Sequence, residues 1–590
     1  MTTQPHAAVS SKHSLGRAAA ILTLVAALGA CGGGTRRPET PAPLALKHDP
    51  QPTTSAITAA DLMTRLYVFA DDSMMGREAG TAGHIKATEY IARELQRLGL
   101  RPGGDNGTYF QTVPMVRRAF DVASTITVEG GPTLRAGTDF IATSGGPSGS
   151  APRSIRLPTV YGGAAWDTTN MLRSDQAEMS VVILNTPATP IGMALVSSPA
   201  GQAYQQSLGR AAVIINVVPA DTLPSNVVRN AVSPREGAIA RPLPSGSAIP
   251  PLNLLVTRRA AEAMFGAPLG AAIKGGRGRY IRANFRFEET AVSERNVVAI
   301  IPGSDSVLRN QYVAVGAHTD HVGFLPGRAV DHDSVRLFNA ARQFGQIPPA
   351  NAADTTAAQR TTLAALTARL DSIRRARAPR PDSIRNGADD DGSGSMAILE
   401  VAEAIGSAPT APRRSMLFVW HTAEEKGLLG SRYFTDNPTV PRDSIVAQIN
   451  IDMIGRGAAG DTPGGSPTHL LVVGSRRLST ELGDVVEAVN RRRSPRLTLD
   501  YSWDAPGHTQ RIYCRSDHAM YARYGIPVVF LFTGLHGDYH QVTDEPQYID
   551  YPHYTNITQL VHELAVEVAN RPGRLVVDKP KPDPTTPCIQ

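Results

Sequence analysis

The chain has 590 residues, 42% hydrophobic, 19% charged and 6% aromatic, with 53 Gly and 45 Pro. One core rarely grows past about 250–300 residues, so more than one domain is expected, and the ordinary apolar fraction excludes wholesale disorder and collagen-like repetition. The net charge of +6 comes from 59 basic and 53 acidic side chains; only seven of the basic ones are lysine and none form a cluster, which excludes a nucleic-acid footprint.

Lys12 and Arg17 form a positive, acid-free start, and Ala18 to Leu28 is an apolar stretch too short to span a bilayer. Residues 1–30 therefore read as an export signal. It ends in Leu28-Gly29-Ala30-Cys31 followed by three glycines, which resembles the lipobox of bacterial lipoproteins. That resemblance implies lipid on Cys31 and, with Gly rather than Asp next, an outer-membrane anchor in the cell envelope; the alternative is a soluble signal cut after Ala30. Cys514 and Cys588 are the only other cysteines, and the sequence does not decide whether they pair.

Residues 31–55, rich in Pro, Thr and Gly, read as a flexible tether. Ala87, Ile91, Leu95 and Leu98 predict a helix over about 82–98, with Gly99 as its stop. From 125 to 285 short β-type runs such as Val181-Val182-Ile183-Leu184 alternate with Gly/Pro/Ser loops, and a helix is expected at 258–265. This β-rich stretch divides residues 56–124 from a third region, 290–572. There, near-continuous apolar strands (296–301, 312–316, 416–420, 448–451, 470–473, 527–532) alternate with helices, the signature of a sheet covered on both faces. Residues 321–385 form an insertion with a helix carrying Leu363, Leu366, Leu370 and Ile373 on one face, and 573–590 is an aperiodic tail.

Five motifs fall at or beyond predicted strand ends, where open α/β sheets bind ligands. They are Ala317-His318-Thr319-Asp320, Gly387-Ala388-Asp389-Asp390-Asp391-Gly392, His421-Thr422-Ala423-Glu424-Glu425, Asp452-Met453-Ile454-Gly455 and Gly537-Asp538-Tyr539-His540 through Asp544. Carboxylates and imidazoles gathered at one edge repel and lose water unless a cation compensates them. Two histidines and three carboxylates without a thiolate suit two zinc ions sharing an aspartate, with open positions for water. In the Glu424-Glu425 pair neighbouring side chains diverge, so one can ligate while the other acts as base.

Read together, these motifs resemble the dizinc aminopeptidase family, family twenty-eight of the metallopeptidases, over about 290–572 and in the opening segment Asp72–Glu78. The resemblance implies an α/β/α sandwich with a mixed, mostly parallel sheet, and residues 125–285 resemble a protease-associated inserted domain. It further implies His318 and Asp452 on one zinc, Glu425 and His540 on the other, Asp390 bridging, and Glu424 as general base toward peptide substrates. Asp320 would fix the His318 ring, and Tyr513 matches a tyrosine that in some relatives steadies the oxyanion, with a packed aromatic as the equal alternative. His536 rivals His540, which better fits the family pattern. His318 and Asp390 stand 72 positions apart instead of about twenty, so the insertion is expected to cover or narrow the cleft. A carboxypeptidase or dipeptidase of the same fold, which would need a cation such as Arg432, Arg511 or Arg515, and a non-catalytic receptor-like relative are the alternatives; a serine hydrolase is disfavoured because no Gly-x-Ser-x-Gly occurs.

Overall fold

Strands that are apolar on both faces need cover on both, and the main sheet has it. The computed structural model describes residues 45–142, 153–186, 195, 199–233, 238–240, 250–348, 355–586 and 588–590; the export signal, Cys31 and the first part of the tether lie outside them. The main sheet consists of β1 (Arg101–Pro102), β2 (Phe110–Phe120), β3 (Ala238–Ala240), β4 (Phe287–Ile301), β5 (Tyr312–His318), β6 (Ser415–His421), β7 (Ile445–Ile451), β8 (His469–Val473), β9 (Thr498–Asp500) and β10 (Val528–Phe532). The order is β9-β8-β10-β7-β5-β6-β4-β2-β3, with β1 beside β4. Alternate residues along β5 serve different cores: Val313, Val315 and Ala317 face one, with helices Gly394–Gly406 and Tyr551–Asn570, while Ala314 faces the other, with Phe434 and Tyr521. The chain is an α/β fold of this layered kind.

Only β10, β7, β5 and β6 form the parallel centre. β4 runs antiparallel to β6 and β2 antiparallel to β4, as β8 does to β10. The sheet is therefore mixed, with parallel pairing concentrated at its middle rather than throughout. The β2–β4 ribbon has a clear purpose: Phe120 is paired with Phe287, so the 125–285 segment leaves and returns at neighbouring points. That segment builds an eight-stranded sheet of its own, in the order Thr133–Arg135, Thr125–Val128, Arg277–Phe285, Arg153–Ala164, Val181–Asn185, Val213–Val218, Leu252–Thr257, Phe140–Ala142. Its separate core includes Phe140, Ile183, Ile215, Leu254 and Phe285. The expected helix stands at Arg258–Phe265, opened by the Thr257 hydroxyl and closed by Gly266 at φ 90°.

Residues 45–55 are not a free tether. Thr53 Oγ1 accepts from Arg65 Nη2 (3.1 Å) and donates to Glu403 Oε2 (2.8 Å), so the fold takes hold of the chain before residue 55. The 321–385 insertion contributes a short ribbon (Val330–Asp331 with Pro381–Asp382) and two helices, His332–Gln343 and Ala357–Ala376, the second bearing the predicted leucine face. Among its described residues the tail has no helix or strand but is pinned: Cys588 is disulfide-bonded to Cys514, and Gln590 Oε1 accepts from the Tyr513 backbone (3.0 Å).

In the second core His518 is fully buried, stacked on Phe530 at 4.7 Å, and burial holds its ring down to about 3; the backbone at Tyr513 opposes this weakly and the Arg477 charge adds to it. A histidine forced to stay neutral in the fold stabilises it only above its unfolded value of about 6.5, and that contribution is lost as pH falls toward 3. At pH 5 the loss is about 2 kcal/mol from this side chain. His518→Phe, which keeps the stacking, is expected to flatten the fall in Tm between pH 7 and 5; an unchanged slope would disprove the assignment.

Candidate metal centre

The C-terminal ends of the four parallel strands meet along one sheet edge, and each delivers a motif. β5 ends at His318, β6 leads into Glu424-Glu425, β7 into Asp452 and β10 into the loop bearing His540. The turn 388–393 before helix Gly394–Gly406 brings Asp390 between them. His318 Nε2 lies 3.2 Å from Asp390 Oδ1 and 3.6 Å from Asp452 Oδ1. On the other side His540 Nε2 lies 3.0 Å from Asp390 Oδ2 and 2.9 Å from Glu425 Oε1. All five sequence-predicted ligand positions thus converge, with Asp390 facing both groups through different oxygens.

Three consecutive aspartates have three tasks. Asp391 accepts from the backbone of His318 (3.0 Å), Gly394 (2.8 Å) and Met453 (3.2 Å), binding three motif loops into one body. Asp389 accepts from Ser393 Oγ (2.9 Å) and the Gly455 backbone (2.6 Å). Asp390 is left to face the cleft, its own backbone N–H donating to Asp544 (3.1 Å). The peptide between Asp390 and Asp391 is cis. Gly394 is required because a Cβ there would sit 2.3 Å from Asp391 Oδ1. Ser516 Oγ donates to Asp452 Oδ2 (2.7 Å), and the other carboxylate oxygen, Asp452 Oδ1, faces His318 Nε2 at 3.6 Å. Ala423, Met453 and His540 all hold positive φ (52°, 58° and 58°), so the backbone is strained in three of the motif loops, as is common where side chains are aimed for function.

Asp320 acts differently from the expectation. Its carboxylate is 3.7 Å from His318 Nδ1, which instead lies 3.0 Å from the Asp320 carbonyl. The carboxylate accepts from the backbone of Glu424 (3.0 Å) and Glu425 (3.3 Å), so it sets the turn on which the glutamate pair diverges. Glu424 lines the cavity beside Glu425 and Asp452. Burial and the neighbouring Glu425 push its carboxyl well above the usual range, against the pull of His318. Tyr513 is not part of this cavity. Its ring packs in the second core against Gly474 and under the Arg477 guanidinium at 4.1 Å, because the preceding short turn points Ile512 and the following Arg515 at the cleft instead. The tyrosine at the site is Tyr539, stacked on His540 at 3.8 Å, and its only signal in the sequence is adjacency to that histidine. His536 pairs with Asp389 at 3.1 Å and stays outside the cleft groups.

Two further residues, marked by no motif pattern of their own, belong to the site. His321, one position after the His318–Asp320 motif, places Nδ1 3.1 Å from Glu425 Oε1 and 3.5 Å from Asp390 Oδ2. Arg77, fully buried, donates to the carbonyls of Thr319 (3.0 Å), Asn386 (2.5 Å), Gly387 (2.8 Å) and Phe69 (3.2 Å), fastening the opening segment to two motif loops. The insertion grips the His540 loop from outside: Arg336 pairs with Asp538, Arg380 with Glu545, and Gln343 Nε2 donates to the Leu535 carbonyl (2.6 Å). His332, Asp382 and Glu545 also cluster there, but Arg380 compensates both carboxylates, which makes this an ion network rather than a cation site.

His318 Nε2, Asp390 Oδ2, Glu425 Oε1 and His540 Nε2 are buried without a hydrogen-bond partner, and each belongs to one of the two converging groups. Such orphaned atoms are costly in a protein interior unless a cation binds them. Burial opposes a charged His540, yet Asp390 and Glu425 hold its ring up to about 10, showing how strongly this spot favours positive charge. Nitrogen and carboxylate oxygen donors without sulfur fit borderline-to-hard divalent ions.

Residues 351–565 match the model described as peptidase family M28. Asp390, Glu424, Glu425, Asp452 and His540 lie inside the matched segment, and His318 and His321 precede it. Leupeptin-inactivating enzyme 1 of Streptomyces exfoliatus is 32% identical over 169 residues, covering 28% of this chain and 33% of that protein. Leucine aminopeptidase 1 of Penicillium rubens is 28% identical over 197 residues, covering 32% of this chain and 48% of its own. The chain thus spans about a third to a half of the length of these relatives. Among solved structures, BSAP, a zinc aminopeptidase from Bacillus subtilis, aligns with 88% of this chain and 97% of its own at 16% identity, with a TM-score of 0.45.

Proposed function

We propose that the protein is a zinc-dependent exopeptidase that removes N-terminal residues from peptides, with two zinc ions held by His318, Asp390, Asp452, Glu425 and His540. The observation that carries this reading is the convergence of buried, unpartnered nitrogen and carboxylate atoms on either side of Asp390. Zinc ions at such a site polarise a carbonyl and make water a nucleophile at neutral pH. Glu424 takes the proton as water attacks the scissile carbonyl and delivers it to the departing amine. Its place on the cavity wall, with a carboxyl whose proton affinity is raised by burial, supports that role.

The cavity beyond Glu424, Glu425 and Asp452 is walled by Met453, Ile512, Phe530, Phe532, Leu535 and Tyr539, which favours an apolar first side chain. The names of the leucine aminopeptidases among its relatives agree with that choice. A second reading has one observation behind it. Arg515 lines the same cavity, and its bonds go to the Tyr539 hydroxyl (3.3 Å) and Gln510 (3.4 Å), with no carboxylate partner among the described residues. A substrate carboxylate could meet it, as in a dipeptidase or carboxypeptidase. The 125–285 sheet serves, on this reading, as a protease-associated-like recognition module, and lipid on Cys31 holds the enzyme at the outer membrane.

Purified protein is expected to hydrolyse leucine p-nitroanilide and free-amine peptides from the amino end, to ignore their N-acetylated forms, and to fall to background with chelator. Release of C-terminal residues from acetylated peptides would replace this reading with the carboxypeptidase one, and metal-independent turnover would end both.

A further inference from the structure

We propose that His321 is a metal ligand, so that the two ions are held unequally. The inference rests on the two-metal reading above. One ion has four protein donors, His321 Nδ1, Asp390 Oδ2, Glu425 Oε1 and His540 Nε2; the other has three, His318 Nε2, Asp390 Oδ1 and Asp452 Oδ1.

The spacing carries the argument. Donors around a tetrahedral zinc with bonds of about 2.0–2.1 Å stand about 3.3 Å apart. His321 Nδ1 is 3.1 Å from Glu425 Oε1 and 3.5 Å from Asp390 Oδ2, and those same oxygens are 2.9 Å and 3.0 Å from His540 Nε2. The four atoms all lie within 4.8 Å of one another. His321 is completely buried, and neither ring nitrogen has a hydrogen-bond partner: the contact with Glu425 has the length of a hydrogen bond but not its direction. A neutral imidazole buried that way is unfavourable unless something other than a proton joins the two atoms.

The ring is also built into position. Gly387 holds φ 57°, and a Cβ there would come within 2.5 Å of His321 Cγ, so the glycine leaves the slot the ring occupies. The His321 backbone N–H donates to the Arg77 carbonyl (3.1 Å), which fixes where the side chain starts. Four protein donors close a zinc site in the manner of structural sites, whereas three leave a position for an outside ligand, as catalytic sites do. The His318 ion is therefore the exchangeable, substrate-facing one, and the His321 ion the tightly held one.

Zinc titration of the metal-depleted full chain against a competing chelator, with X-ray absorption at the zinc edge, tests this. Wild type is expected to bind two zinc ions in well-separated steps and to show three imidazoles over the two ions. His321→Ala is expected to weaken the tighter step by about 100-fold or more, above the range for outer-sphere partners, and leave the weaker step unchanged. Two imidazoles in the fully loaded wild type would overturn the proposal without any variant, as would unchanged binding by His321→Ala with the same imidazole count. Fewer than two zinc ions in wild type would instead sink the two-metal reading itself.

Discussion

Replacing Glu424 with glutamine is expected to lower kcat by about 100- to 10,000-fold while zinc content and Tm stay at wild-type levels. The carboxyl lines the cavity next to Glu425 and Asp452, but it belongs to neither group of converging metal donors. What positions it is backbone: its N–H donates to Asp320 Oδ1 (3.0 Å), and the preceding Ala423 sits at φ 52°. Glutamine keeps size and backbone bond and loses only the capacity to accept a proton. KM should move little, because the substrate's side chain contacts lie on the apolar wall. Rate assays paired with zinc analysis of the same sample decide it. Retained turnover in Glu424→Gln removes the residue from the mechanism, and lost zinc would reassign it as a ligand.

The second large effect is expected at Arg77, 242 to 310 positions from the two motif loops it holds. Its guanidinium is buried over the Phe69 ring at 4.4 Å and is pulled down to about 10 by burial, while four carbonyls satisfy its donors. Methionine fills the space but leaves Thr319, Asn386, Gly387 and Phe69 carbonyls unmet at about 1 kcal/mol or more each, a loss on the order of 3–5 kcal/mol. Thr319 follows His318 and Gly387 precedes Asp390, so the same change should loosen the metal groups and weaken zinc binding about 10- to 100-fold, the range for partners behind the ligands. Tm should fall by about 3–4 °C. Arg77→Lys keeps the charge without the planar fork and should fall between. Wild-type melting and zinc affinity in both variants would show that the opening segment merely covers the site.

His318, Glu425 and Asp452 were legible because each stands where an apolar strand stops, and Asp390 because its acidic run opens a helix. Runs such as Met416–Trp420 and Gln448–Ile451 announce parallel strands, and a polar, titratable residue immediately after such a run falls at the sheet's carboxyl edge. His540 required more, since seven residues of loop separate it from the run before; what settles it against His536 is that Asp389 takes His536 away at 3.1 Å. Tyr513 and Tyr539 illustrate the limit. Both are aromatic residues near a motif, and which one faces the cleft depends on one short turn and one strained loop that no periodicity reveals.

By itself the amino-acid order determined the layers and the chemistry: hydrophobic period selects strand or helix, and donor types select the ion, both being local properties. Tertiary structure alone decided partnership. That Asp320 holds the glutamate turn rather than the imidazole, that Arg77 clamps two distant loops, that Cys514 meets Cys588, and that His321 brings Nδ1 to Glu425 and Asp390 are consequences of which loops the sheet sets side by side. Contacts between residues tens to hundreds of positions apart are set by packing of the whole chain, and no local pattern encodes them.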